Sequence, residues 1–266
     1  MCDESTWQAL VESSWSLGDR PLLLRSPNLR GDDVGELQRR LSRLGFDAGR
    51  VDGIFGPDTH RALSDFQHNC GLTADGVCGV ETARLLERLS RQSGDGPGVA
   101  TVRELESLRV ARTLGDCRVL VGQYGGLGGV ARQVIRQLRG RGAHVIHSDD
   151  LDASRQAGAA NRFDADVYVG LEAATEPTVS IAYYRTEGFE SSGGRELAGL
   201  LAGRLEPLGI ARAVVAGMRL PVLRETRMPA VLCTLGPVRA AVDQAPAIAD
   251  AAATAVECWV QRLPST

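Results

Sequence analysis

The sequence contains no lysine: all 30 of its basic residues are arginine, and they are set against 33 acidic residues. The resulting net charge of −3 gives no electrostatic basis for binding nucleic acid or an anionic membrane surface. No stretch approaches the ~20 consecutive apolar residues of a transmembrane helix. Nucleic-acid partners and membrane-spanning segments are therefore not expected.

Cysteine motifs and a secretion signal are also lacking. The six cysteines are scattered and form no CxxC pair, which is typical of buried small side chains in a reducing compartment. The first residues, Met1-Cys2-Asp3-Glu4, contain neither the basic nor the apolar region of a signal peptide. The sequence therefore predicts a cytoplasmic protein, long enough at 266 residues for one large or two modest domains.

Residues 25–90 have the pattern of a small all-α module. After the acidic pair Asp32-Asp33, apolar residues recur on one helix face, and two glycine-rich turns, 51–56 and 74–79, divide the segment into three predicted helices. This pattern resembles the peptidoglycan-binding domain type 1, a three-helix module. The resemblance implies that the segment binds peptidoglycan or its fragments.

Two flanking segments complete the first half of the chain. Residues 2–11 align with 78–87 at a constant offset that pairs Cys2 with Cys78. Residues 1–24 are therefore interpreted as a remnant or the last helix of a preceding copy of the module, so that either the native N-terminus lies upstream or the first copy has decayed. Residues 91–116 contain a Gly/Ser/Pro cluster and are predicted to be a linker.

Residues 117–266 alternate between strand and helix patterns, which predicts an α/β domain with a mostly parallel sheet and flanking helices. Ligands bind at the carboxyl ends of the strands in such sheets, and the strand ending at Leu171 is followed directly by Glu172. Strands are predicted over 119–122, 143–147, 166–171, 179–184 and 230–235, and helices over 129–139, 154–162, 194–205 and 246–263.

Three segments of this half resemble the zinc-dependent N-acetylmuramoyl-L-alanine amidases of type 3. They are the first strand with Gly125-Gly126, residues 155–171, and residues 223–232. The family implies one zinc ion held by His, Glu and His with an open position for water, and a Glu that acts as general base. It implies cleavage of the bond between N-acetylmuramic acid and L-alanine.

Every functional position of that family is altered here. Tyr124 stands at the first His ligand, Glu172 at the second His ligand and Thr234 at the general base, while the segment that would carry the Glu ligand is deleted after Gly126. The resemblance therefore implies no catalytic residue, no metal ligand and no cofactor, and an arginine such as Arg155 is expected to pair with Glu172. A metal-free ligand-binding pocket is expected to be lined by Gln123, Tyr124, Arg155, Glu172 and Thr234.

Two zinc-containing alternatives compete with this hypothesis. A makeshift site of Glu172, His147 and Cys233 is disfavoured, because side chains alternate along a strand and a cleft-facing Thr234 turns Cys233 into the core. The other alternative is an active zinc-dependent amidase, which is supported by the scaffold alone.

The chain as a whole resembles the cytoplasmic, actinobacterial cell-wall amidase-like pseudoenzymes. These are regulators of peptidoglycan biosynthesis that act through contacts with a biosynthetic enzyme. The expected partners are therefore peptidoglycan fragments or precursors and a protein of that pathway. A related interpretation is a sensor in which the emptied cleft binds such a ligand without turnover.

Overall fold

The computed structural model describes residues 14–91, 98–108, 113–187 and 189–261. The chain divides into two compact units, Met1–Arg103 and Glu104–Thr266. The proposed copy at residues 2–11 lies outside the described residues, as do parts of the predicted linker and the last residues of the predicted C-terminal helix. Within the described ranges, no helix has the length and apolar character needed to cross a membrane.

The first unit is helical, as its sequence predicts. Its helices are α1 (Asp32–Arg43), α2 (Pro57–Asn69), α3 (Val80–Ser90) and α4 (Val99–Leu108), the last of which crosses the boundary between the units. Pro57 opens α2, where its missing N–H costs no helical hydrogen bond. The core is formed by large side chains that include Leu37, Phe55, Leu63, Phe66 and Leu86.

A buried glutamine closes the first turn of this unit. From α1, Gln38 Nε2 donates to Asp52 Oδ1 at 2.9 Å and to the Ile54 carbonyl at 3.0 Å. Its Oε1 accepts from the Gly53 N–H at 2.8 Å. Gly53 has a φ of 73°, in the left-handed region that favours glycine. The Asp-Gly sequence is therefore required by the backbone of the turn.

The second turn repeats this arrangement. From α2, Gln67 Nε2 donates to Asp75 Oδ1 at 2.9 Å and to the Val77 carbonyl at 3.0 Å, and Oε1 accepts from the Gly76 N–H at 2.9 Å. Helix α2 thus completes the first helix–turn–helix unit, held by Gln38, and begins the second. The Asp-Gly turns fold the module and are not needed to explain ligand contacts.

The second unit is an α/β domain with a mostly parallel sheet, which confirms the predicted fold class. The strand order is β2-β1-β3-β7-β4-β5, and β6 pairs with β4. Antiparallel pairing is confined to β4 with β7 and β4 with β5. The elements are β1 (Arg118–Gln123), α5 (Gly128–Gly140), β2 (His144–Ser148), α6 (Ala153–Arg162), β3 (Val167–Ala173), β4 (Thr178–Thr186), β5 (Phe189–Glu190), α7 (Ser192–Leu205), β6 (Ala213–Met218), α8 (Pro221–Glu225), β7 (Ala230–Gly236), α9 (Val238–Asp243) and α10 (Ala245–Val260).

The two faces of this sheet are built differently. One face packs Val121, Val169 and Cys233 into the main core, which also contains residues of α5, α7 and α10. On the opposite face, α8 packs on β4, on β7 and on α6. Tyr168 alternates with Val167 and Val169, so its ring lies on this second face. The parallel strands β1, β3 and β7 are neighbours, so their carboxyl ends lie side by side at one end of the sheet.

Replacing Gln38 with alanine should destabilise the first unit by about 1–3 kcal/mol, because the buried Gly53 N–H loses its acceptor and the half-buried Asp52 carboxylate loses one of its donors. The measurement is the denaturant midpoint of that unit's unfolding. His68→Ala, on the exposed side of α2, is the matched control and should change the free energy of unfolding by less than about 0.5 kcal/mol. Equal effects of the two substitutions would contradict the structural role given to Gln38.

Candidate functional site

A row of polar side chains crosses three strands at the carboxyl end of β3. Glu172 lies opposite Thr234 of β7, and Thr234 lies opposite Ser180 of β4. Residues in register point to the same face, and Thr234 Oγ1 donates to Glu172 Oε2 at 2.8 Å. We refer to Glu172, Thr234 and Ser180 as the polar row. Ser180 was not identified from the sequence, because only the antiparallel register of β4 on β7 places it there.

Tyr124, the residue that directly follows β1, lies beside this row. Its backbone N–H donates to the Leu171 carbonyl at 2.9 Å, and its hydroxyl lies 3.4 Å from that of Tyr168. Burial raises the pKa of Tyr124 to about 12, and the carboxylates of Glu172 and Asp152 act in the same direction. The phenol is therefore neutral at physiological pH and acts as a hydrogen-bonding group.

Tyr168 forms the floor beneath these residues. It is fully buried, its hydroxyl donates to Gln156 Oε1 at 2.7 Å, and burial raises its pKa. Gln156 Nε2 donates in turn to the carbonyls of Asp150 at 2.6 Å and Gln123 at 3.2 Å. A Cβ atom at Gly122 would overlap Gln156 Oε1 and lie 2.6 Å from the Tyr168 hydroxyl. Gly122 is the sequence signal that could have revealed this network.

The expected pairing of Arg155 with Glu172 is wrong. Arg155 lies in the first turn of α6, its side chain is 74% exposed, and its guanidinium is 3.7 Å from Asp150 and 3.9 Å from Asp152. Asp152 caps the N-terminus of this helix by accepting a hydrogen bond from the Arg155 N–H at 3.0 Å. This bond keeps Arg155 next to Asp152. Glu172 is instead partnered by Thr234.

Gln123 also differs from its expected position. It lies opposite Leu171, whose side chain belongs to the main core, so alternation places the Gln123 side chain on the face opposite to Glu172. Its Oε1 is buried and accepts no hydrogen bond from the residues that the structure describes. Of the predicted pocket residues, the structure brings together Tyr124, Glu172 and Thr234, while Gln123 and Arg155 lie apart from them.

Zinc in proteins is held by several imidazole, thiolate and carboxylate groups. Among Tyr124 and the polar row, only Glu172 is of these types, so these residues do not suit zinc. Cys233 lies on the opposite face, where burial raises its pKa to about 12, and the exposed His147 shares that face with Val145. Glu172, His147 and Cys233 therefore do not converge. Throughout the part of the chain that the structure describes, no three His, Cys, Asp or Glu side chains are grouped to hold a metal ion.

Comparison with known proteins agrees with this architecture. Residues 30–86 match the family model of the peptidoglycan binding domain. The chain is 35% identical over 270 residues to the Mycobacterium tuberculosis protein named N-acetylmuramoyl-L-alanine amidase CwlM, an alignment that covers 88% of this chain and 65% of that protein. The chain is therefore similar to an N-acetylmuramoyl-L-alanine amidase over most of its length, and residues 30–86 match a peptidoglycan-binding domain. It spans 65%, less than two thirds, of the length of the mycobacterial relative.

Two further similarities each cover part of this chain. A spore cortex-lytic enzyme of Bacillus cereus is 46% identical over 61 residues, which cover 23% of this chain and 24% of that enzyme. The catalytic domain of CwlV, an N-acetylmuramoyl-L-alanine amidase from Bacillus (Paenibacillus) polymyxa var. colistinus, superimposes with a TM-score of 0.43 at 18% identity. That superposition covers 52% of this chain and 96% of the CwlV domain.

Tyr168→Phe should destabilise the α/β domain by about 1–3 kcal/mol, because Gln156 Oε1 would remain buried without its donor. Tyr124→Phe is the matched comparison and should cost less than about 1 kcal/mol, since its half-buried hydroxyl makes only the 3.4 Å contact. Urea denaturation followed by circular dichroism measures both. A larger loss for Tyr124→Phe than for Tyr168→Phe would contradict the role of Tyr168 as the floor of the site.

Proposed function

We propose that this protein is a catalytically inactive amidase homologue. In this proposal it binds peptidoglycan or its precursors in the cytoplasm and regulates peptidoglycan synthesis through protein contacts. The observation that carries the proposal is the hydrogen bond from Thr234 to Glu172, which joins two positions where the resembled family has its general base and a zinc ligand. This pair gives the cleft hydrogen-bonding groups in place of a hydrolytic centre.

The chemistry of amide hydrolysis explains why these groups favour binding over turnover. The reaction needs an activated water and a metal ion, cationic side chain or set of preorganised hydrogen-bond donors that stabilises the oxyanion, and enzymes accelerate such reactions by roughly 10⁶-fold or more. A single carboxylate acting as general base contributes only about 10²–10⁴-fold. Within the described residues, no hydrogen bond or ion pair joins a cationic side chain to Glu172, Thr234 or Tyr124. A threonine hydroxyl is too weak a base to replace the missing glutamate.

The same groups are suited to hold a muropeptide. Glu172 keeps one carboxylate oxygen free of the bond to Thr234, and the hydroxyls of Tyr124 and Ser180 can both donate and accept. These groups match the amide N–H groups and sugar hydroxyls of a muropeptide. The peptidoglycan-binding domain at residues 30–86 supports the same class of ligand.

The proposal is tested by incubating the full chain with a purified muropeptide that contains the N-acetylmuramoyl-L-alanine bond, with and without added zinc. Mass spectrometry should recover the muropeptide intact, while the CwlV catalytic domain, as the active control, should release the free peptide. Calorimetry on the same ligand should show binding, which Glu172→Gln weakens about tenfold through loss of a charge-assisted hydrogen bond.

The competing function is a zinc-dependent amidase. Release of free peptide by the wild-type chain, abolished by Glu172→Gln, would establish that function and refute the inactive homologue. A chain that neither cleaves nor binds the muropeptide would refute the proposed ligand class.

A further inference from the structure

Glu172 is a carboxylate without a counter-ion. Its side chain is partly buried, and Oε2 accepts from Thr234 Oγ1 at 2.8 Å. Among the residues that the structure describes, no other donor bonds to this carboxylate, and no arginine or histidine forms an ion pair with it. A partly buried charge is costly unless it is paired, so the site favours a positive group that a ligand supplies.

The surroundings of Glu172 are also negative. Asp150 and Asp152, which follow β2, share one cation: the Arg155 guanidinium lies 3.7 Å from Asp150 and 3.9 Å from Asp152. That arginine is 74% exposed, so solvent weakens its effect. After burial, the carboxylates of Glu172, Asp152 and Asp150 are the groups that raise the pKa of Tyr124. The potential around the Tyr124 hydroxyl is therefore negative.

The other side chains beside Glu172 are neutral hydrogen-bonding groups. The hydroxyls of Tyr124 and Ser180 can accept hydrogen bonds as well as donate them. The face of an aromatic ring such as that of Tyr124 also attracts cations, which is how many proteins hold ammonium groups. One unpaired carboxylate, an aromatic ring and hydroxyl acceptors together suit a primary ammonium, which carries one positive charge and three N–H donors.

A muropeptide contains such a group. The diamino acid of its peptide has a side-chain amine, which is protonated at neutral pH. Acylation of this amine, the reaction that cross-links two peptides, converts it into a neutral amide. A carboxylate therefore distinguishes the free form from the acylated form by charge, whereas the sugars and the backbone amides are the same in both.

We propose that Glu172 binds the free side-chain ammonium of the diamino acid in a muropeptide, so that the cleft selects peptides that are not cross-linked. This inference rests on the proposed function, because it assigns one group of that ligand to one residue of the site. The hydroxyls of Tyr124 and Ser180 accept the remaining N–H groups. The negative surroundings disfavour phosphate, so a phosphate-linked precursor is held by its peptide.

The arrangement favours an organic ammonium over a divalent metal ion, the other cation that carboxylates bind. A metal ion needs several charged or imidazole ligands at once. Across the described ranges, no three His, Cys, Asp or Glu side chains are grouped to provide them, and Asp150 and Asp152 are already paired with Arg155. An ammonium needs only the single carboxylate of Glu172 and neutral acceptors beside it.

The test is calorimetric titration of the full chain with two muropeptides that differ only in the side-chain amine, free in one and N-acetylated in the other. The wild-type chain should bind the free amine about tenfold more tightly, because acetylation removes a charged hydrogen bond. Glu172→Gln keeps an acceptor for Thr234 and should bind both peptides with the same, weaker affinity. Glu206→Gln, which removes an exposed carboxylate directly after α7, is the matched control and should retain the preference.

Equal affinity of the wild-type chain for the two peptides would overturn the inference and leave the proposed binding of muropeptides standing. A preference that persists in Glu172→Gln would also overturn it, because another group would then recognise the amine. Failure of both peptides to bind at about 1 mM would refute the inference and the proposed ligand class together. A preference for the free amine in a chain that hydrolyses the peptide would support the inference and refute only the inactive cleft.

Discussion

The alternation of side chains along parallel strands in fixed register is the constraint on which the site depends. Once Tyr168 lies on the second face of the sheet, Glu172 must follow it there, and the pairing of β3 with β7 brings Thr234 beside Glu172. The same alternation sends Cys233 and Gln123 to the opposite face. A one-residue shift in register would exchange these two sets. The register of the strands therefore determines which strand side chains share a face with Glu172.

The hydrogen bonds among the polar side chains at the carboxyl ends of β1, β3 and β7 explain how these groups are accommodated in the fold. A buried carboxylate or phenol is costly unless it is hydrogen-bonded. Here the Thr234 hydroxyl donates to Glu172, and Gln156 connects the Tyr168 hydroxyl to two backbone carbonyls. The polar groups satisfy one another, and the glycine at Gly122 provides the space for them. The α/β scaffold is thus compatible with a binding cleft at this edge.

Much of this fold could be predicted from the sequence, because hydrophobic periodicity identifies long elements well. The three helices α1, α2 and α3 and the strands β1, β2, β3, β4 and β7 were predicted from the sequence, whereas helix α4 lies within residues 91–116, which were predicted to be a linker. Strand β6 was missed because its apolar residues do not alternate with polar ones. Its exposure on both faces is a property of an edge strand, which depends on the final order of the sheet.

The site was only partly predictable for the same reason. The carboxyl end of β3 identified Glu172, since that rule follows from sheet topology, whereas Thr234 was assigned from the resemblance to the amidase family. The partner of Glu172 was predicted incorrectly, because Arg155 is held near Asp152 by the local geometry of a helix start. Long-range contacts such as Tyr168 with Gln156 required the packing of α6 on the sheet, which sequence spacing does not define.

In the proposed function, the cleft holds a hydrogen-bonded Glu172–Thr234 pair instead of a metal centre. Calorimetric titration of the metal-stripped full chain with zinc tests this claim most directly, with Glu172→Ala titrated in parallel. The account predicts that the wild-type and Glu172→Ala chains give the same titration curve, with no saturable zinc site that depends on Glu172. One zinc ion bound per chain with a dissociation constant below about 1 μM, and abolished by Glu172→Ala, would contradict it.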